Sequence, residues 1–248
     1  KLFLLLLSVL FVMSCSKDPI IYTLTTYVSP VEGGTITPKN AKYEEGENAT
    51  IIATPSSDYL FQSWSGATGS TSSTSVVMSS DKTITANFVK KKFALTISVE
   101  GEGMVTEKVI KAGAATDYDS GTIVELTATG KTGWEFKEWS GDLTGSDNPK
   151  EITIDKAKTV KAVFNEQSPF YLDTNGVTIK ANDWVTVGTT GELDGVTYTA
   201  VDNTTLTNLI VFNGLDVTKV VTTLVTDMSK MFQGIDTFNQ DIVSWDVS

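Results

Sequence analysis

Apolar and polar residues alternate with a period of two over most of the chain, which predicts strands with one buried face. Tyr22, Leu24 and Val28 share one face of a first strand. Phe93, Leu95, Ile97 and Val99 share a face of another, with Thr and Ser opposite. Ala49, Ile51 and Ala53 have the pattern of Val124, Leu126 and Ala128; Ile84, Ala86 and Phe88 have that of Val160, Ala162 and Phe164. Gly, Asn and Asp bound these runs, as turns between half-buried antiparallel strands require. Two stretches break the alternation. Lys1 precedes an apolar run through Met13, too short for a bilayer-spanning helix, which needs roughly 20 residues. Near the other end, Met228, Met231, Phe232 and Ile235 are spaced i, i+3, i+4, i+7 behind Thr226-Asp227. That spacing predicts one short capped amphipathic helix, followed by a Phe238–Ile242 turn and a Val243–Val247 strand.

The matching strands form a duplication. Residues 22–88 carry Tyr59, Phe61 and Trp64-Ser65-Gly66, and residues 93–164 carry Trp134, Phe136 and Trp139-Ser140-Gly141. Each copy is expected to hold five or six short strands around one small core. Phe61 to Trp64 is a step of three, repeated at Phe136 to Trp139, so strict alternation puts each Trp on the outer face. A bulge before the Gly turn returns it to the core, and the size of Trp favours that reading. The alternative leaves Trp64 and Trp139 exposed as a ligand-stacking pair for sugars.

The amino-terminal run fits the apolar region of a secretory signal, and Val12-Met13-Ser14-Cys15 resembles a bacterial lipobox. The resemblance implies cleavage after Ser14, lipid attachment at Cys15 and acylation of the new terminus. Two or three acyl chains anchor stably where one does not. Cys15-Ser-Lys-Asp18 looks like the start of Bacteroidota lipoproteins, which implies the outer membrane and surface display; the plain alternative is a solvated tether.

Gly33-Gly-Thr-Ile-Thr-Pro38, Tyr43-Glu-Glu-Gly46, Ala53-Thr-Pro55, Trp64-Ser-Gly66 and Ile84-Thr-Ala-Asn-Phe88 together resemble the divergent internalin-B-type bacterial repeat. The second copy departs from it at Met104–Lys108 and in an insertion near Lys111–Tyr118. This family implies extracellular spacer or interaction modules without catalytic residues. Beyond Pro169, Phe170–Ile179 and Gly195–Val201 read as short strands. Residues 225–248 resemble one unit of the leucine-rich-repeat-like arrays of BspA-like surface lipoproteins. A unit of that kind needs neighbours to bury its apolar stripe, so the sequence reads as a fragment whose array continues past Ser248.

Composition narrows the chemistry. The 248 residues carry a formal charge of −11, one Cys and no His. Without His there is no Ser–His–Asp or Cys–His system and no His-ligated zinc, and one Cys forms no intramolecular disulfide. Acidity argues against a nucleic-acid partner. Asp173-Thr-Asn-Gly176 opens like a calcium loop, but Thr178 and Trp184 stand where an EF-hand needs Gly and Glu. No dinucleotide or phosphate-loop fingerprint is present.

The expected architecture is mainly β: two tandem small antiparallel modules, a short β segment and the start of a leucine-rich-repeat-like α/β solenoid. Its parts are a signal (1–14), a lipidated tether (15–21), the modules (22–90 and 93–166), a lead-in (169–201) and one array unit (202–248). The expected function is a non-enzymatic, lipid-anchored outer-membrane protein facing the exterior, without cofactor or metal. Its partners are the membrane through Cys15 and an extracellular protein or glycan. The alternatives are a glycan-binding accessory lipoprotein, or the anchor and stalk of an enzyme whose catalytic domain lies past Ser248.

Overall fold

The computed structural model describes residues 18–111, 117–211 and 215–248. The signal and Cys15 lie outside them. The described residues form two compact units, one of 18–93 with 117–121, the other of 94–111, 122–211 and 215–248.

The first copy contributes β1 (Ile21–Ser29), β2 (Gly34–Thr37), β3 (Asn40–Glu44), β4 (Asn48–Pro55), β5 (Tyr59–Ser65), β6 (Ser73–Val77) and β7 (Lys82–Lys90). They form two sheets, ordered β3-β1-β7-β5 and β2-β4-β6. The alternating residues Leu24, Ile36, Ala49, Ile51, Ala53, Ile84, Ala86 and Phe88 point between the sheets and are buried. Seven strands build the copy rather than five or six. The antiparallel expectation is also corrected, because β1 and β7 pair in parallel, with Thr25 opposite Thr83. A strand buried on one face shows the same alternation in either direction, so the pattern does not report orientation.

The second copy contributes β8 (Lys92–Glu100), β9 (Gly103–Lys111), β10 (Asp117–Asp119), β11 (Thr122–Gly130), β12 (Trp134–Gly141), β13 (Lys150–Ile154) and β14 (Lys158–Glu166). In the second unit β14 lies between β8 and β12, parallel to β8 and antiparallel to β12. The facing sheet is ordered β13-β11-β9. The departure at Met104–Lys108 lies in β9, which runs nine residues along β11 where β2 runs four along β4; most of the expected insertion near Lys111–Tyr118 lies outside the described residues. In the first unit, β10 lies at the start of β8, where Lys92 Nζ is 3.1 Å from Asp119 Oδ1.

The remaining chain forms β15 (Phe170–Leu172), β16 (Ile179–Ala181), β17 (Thr190–Leu193), β18 (Val196–Asp202), α1 (Asn203–Val211) and β19 (Val220–Leu224). β15 and β16 form a hairpin, and β17-β18-β19 a small sheet in which β18 and β19 are parallel. Helix α1 is capped by Asp202, whose Oδ1 accepts the Thr205 N–H at 2.8 Å, and it buries Leu206 and Ile210.

The predicted helix at 226–235 is absent. Successive turns replace it, with N–H groups of Gln233 and Ile235 reaching the carbonyls of Lys230 and Phe232. Lys230 and Gly234 have φ of 61° and 80°, which stops helical propagation after each turn. The predicted Val243–Val247 strand is likewise irregular. One β-α-β step is present; a repeating solenoid is not shown.

Candidate functional site

Trp64 and Trp139 occupy the same place in their copies. The pairing of β5 with β7 slips between Phe61 and Ser63, and that of β12 with β14 between Phe136 and Glu138. This bulge inserts one residue and turns the following Trp inward. Trp64 is 8% exposed and Trp139 1%. Each indole N–H donates to a loop carbonyl at 2.9 Å, Trp64 to Thr71 and Trp139 to Asp147. Phe61 lies 5.0 Å from Trp64 and 6.1 Å from Phe88; Phe136 lies 4.9 Å from Trp139 and 5.8 Å from Phe164. The duplicated motif is therefore a packed aromatic triplet, a buried Trp and Phe with a half-buried Phe between them, and the indole N–H is satisfied. The exposed, sugar-stacking alternative is corrected, since neither ring offers a face to solvent.

The Gly residues of the motif follow from the same geometry. Gly66 and Gly141 have φ of 83° and 93°, and a Cβ there would meet the carbonyl oxygens of Thr83 and Thr159 at 2.2 and 2.4 Å. Gly103 seats a ring instead, because a Cβ would lie 2.4 Å from Phe164.

A second cluster gathers in the carboxy-terminal part. Met231 and Trp245 are buried with Val201, Leu206, Ile210, Val217 and Val220. Phe232 stacks on Trp245 at 6.1 Å and tilts against Phe238 at 4.7 Å. The four residues predicted to share a helical face thus pack on one cluster, by turns instead, with Met231 buried and Met228, Phe232 and Ile235 half-buried. Asn203 joins α1 to this segment, its Oδ1 accepting the Thr226 N–H at 2.8 Å and its Nδ2 donating to Thr226 Oγ1 at 3.1 Å.

Short Asp turns recur here. Asp216 Oδ1 accepts the Thr218 hydroxyl at 2.6 Å and amide at 2.9 Å, and Asp246 Oδ1 accepts those of Ser248 at 2.7 and 3.2 Å. These bonds hold the Asp216 carboxyl below its ordinary value. For Asp246, burial pushes upward, but the Ser248 bonds and Lys180 outweigh it and leave the carboxyl lowered. Lys180 Nζ lies 3.3 Å from Asp173 and 4.0 Å from Asp246, which raises its own pKa. The calcium-like loop is closed on itself: Asn175 Oδ1 accepts the amides of Val177 and Thr178, and Asp173 faces the ammonium. Among the described residues, no three His, Cys, Asp or Glu side chains gather as a metal site requires. No described helix is long and apolar enough to cross a membrane.

Comparison with known families agrees with the duplication. The model described as the divergent InlB B-repeat domain matches residues 22–92 and again 93–168, more than half of the chain. Residues 200–248 match the model described as Mycoplasma protein of unknown function, DUF285. No curated protein and no solved structure matches.

Proposed function

The chain belongs to the divergent InlB B-repeat domain family, and from that premise we propose a lipid-anchored cell-surface protein whose two modules form a non-catalytic stalk. The observation that carries this reading is the tandem pair of modules, each with its own packed aromatic triplet around a buried Trp. Both repeat-type regions are consistent with a surface-type repeat protein. The lipobox-like Val12–Cys15 supplies the anchor at the outer membrane, residues 15–21 the lipidated tether, and residues 202–248 the opening of an array for adhesion or protein interaction. A net charge of −11 suits a projecting stalk, which stays soluble through self-repulsion and does not bind nucleic acid. A single exported thiol is also accounted for, since thioether linkage consumes it.

Cys15→Ser tests the anchor. The parent chain is expected in the membrane fraction with labelled palmitate incorporated, and the variant in the soluble fraction without label. If the variant fractionates and labels like the parent, Cys15 is not the attachment point and the reading falls.

A further inference from the structure

We propose that the outer face of the β3-β1-β7-β5 sheet, centred on Tyr27, binds a neutral glycan chain through ring stacking and side-chain hydroxyl and amide groups. The inference rests on the surface reading only for access to such a chain. The site itself stands apart from the Cys15 anchor and from the buried Trp64.

Strand alternation fixes which side chains share this face. Leu24, Trp64, Ile84 and Ala86 are buried between the sheets, so the residues alternating with them in β1, β5 and β7 face outward. Tyr27 stands opposite Thr85, and Thr85 opposite Ser65. In the next row Ser29 stands opposite Asn87, and Asn87 opposite Ser63. Two rows on three neighbouring strands give these side chains an area of roughly 10 by 7 Å.

The Tyr27 side is open, with the residue 56% exposed. Beside it the polar groups are held in place. Asn87 Nδ2 donates to Ser63 Oγ at 3.3 Å and to Ser65 Oγ at 2.9 Å. Both amide hydrogens are thus engaged, which orients the carboxamide and leaves the serine protons and its carbonyl oxygen for whatever lies above. Thr85 adds another hydroxyl. An exposed ring takes the C–H face of a pyranose, and ordered donors and acceptors next to it take the sugar hydroxyls.

The duplication supplies the contrast. The same two rows of the second copy are Ser98, Lys161 and Ser140, then Glu100, Val163 and Glu138. Lys161 Nζ lies 2.9 Å from Glu100 Oε2, an ion pair across the face. One module fold therefore carries either surface, and nothing in the core requires the neutral one with its aromatic ring. The six positions of the first copy hold no cation, and a chain of charge −11 repels an anionic ligand. One ring among hydroxyls also lacks the contiguous apolar centre of a protein interface. A neutral glycan with equatorial hydroxyls, such as a β-1,4-linked glucan, fits both conditions.

The test is affinity electrophoresis of the full chain, purified in mild detergent, through gels holding hydroxyethylcellulose or carboxymethylcellulose, which share a backbone and differ in charge. Hydroxyethylcellulose is expected to retard the chain, and carboxymethylcellulose at least about tenfold more weakly. Tyr27→Thr keeps a strand-forming residue and removes the ring, and should raise the dissociation constant at least about tenfold with little change in urea midpoint. Ser29→Glu with Thr85→Lys copies the ion pair that the second module already folds with, and should abolish retardation. The proposal is overturned if hydroxyethylcellulose does not retard the parent chain, which would leave the face to a protein partner. It is also overturned if the two polymers retard alike, or if either variant binds as the parent does. Retardation is read without reference to Cys15, so this site and the membrane anchor fail separately.

Discussion

Trp139→Ala is expected to destabilise the second copy by about 3–5 kcal/mol, the range for truncating a fully buried large aromatic. The indole is 1% exposed, packs 4.9 Å from Phe136 and ties the loop to β12 through the Asp147 carbonyl. Its removal leaves a cavity between the sheets and an unpaired carbonyl at once. Trp139→Phe separates the two contributions. It keeps most of the packing and loses the hydrogen bond, for which about 1 kcal/mol is expected. Trp64→Ala should act alike in the first copy, slightly less severely, because Trp64 is 8% exposed. Hydrogen exchange read over β12 and β14 measures the effect locally, as a chain with two compact units need not unfold in one step. Unchanged protection in Trp139→Ala would mean the triplet is not the centre of the copy.

Gly141→Ala and Gly66→Ala carry the other large effect. At φ near +90° a side chain costs about 1–2 kcal/mol, and here its Cβ also meets a backbone oxygen at 2.4 or 2.2 Å. Backbone atoms of β14 and β7 cannot swing aside as a flexible side chain would, so a strand must shift, for about 1–3 kcal/mol more. Gly46→Ala is the control. It has φ of 87° with nothing within 4 Å of the added Cβ, so it isolates the conformational part. Urea midpoints should fall in the order Gly66→Ala well below Gly46→Ala, and Gly46→Ala modestly below the parent. Equal midpoints for the two variants would remove the steric explanation.

These two motifs also show how far the residues alone lead. The period-two runs placed Leu24, Ile51, Ile84, Val124, Leu126 and Val160 in the cores, because alternation reports which face is buried. The odd Phe-to-Trp step announced the bulge, since only an extra residue reconciles that spacing with one apolar face. Strand direction was not legible: the partner of β1 lies across the whole module at β7, and pairing over that separation leaves no local mark. The departure of Met104–Lys108 from the repeat pattern was visible in the residues, but the path of β9 beside β11 depends on tertiary pairing.

The carboxy-terminal part shows the opposite error. Met228, Met231, Phe232 and Ile235 have helical spacing, yet consecutive turns broken at Lys230 and Gly234 gather the same side chains around Trp245. Spacing describes the face and not the hydrogen bonding that produces it. Helix α1 has its signal in Asp202 as cap and Leu206, Leu209 and Ile210 as stripe, a faint one because its Thr-rich sequence has weak helix propensity. The bonds of Gln240 to the Val217 amide and the Leu215 carbonyl were not readable, because a lone Gln carries no pattern until its two backbone partners are seen.

Surface presentation is tested most directly by adding a general protease to intact cells that make the protein, then probing for both modules. Display on the exterior predicts that the carboxy-terminal part and both modules disappear while a periplasmic control protein stays whole. If the chain survives on intact cells and is cleaved only after the outer membrane is opened, it faces the periplasm and the surface account is contradicted.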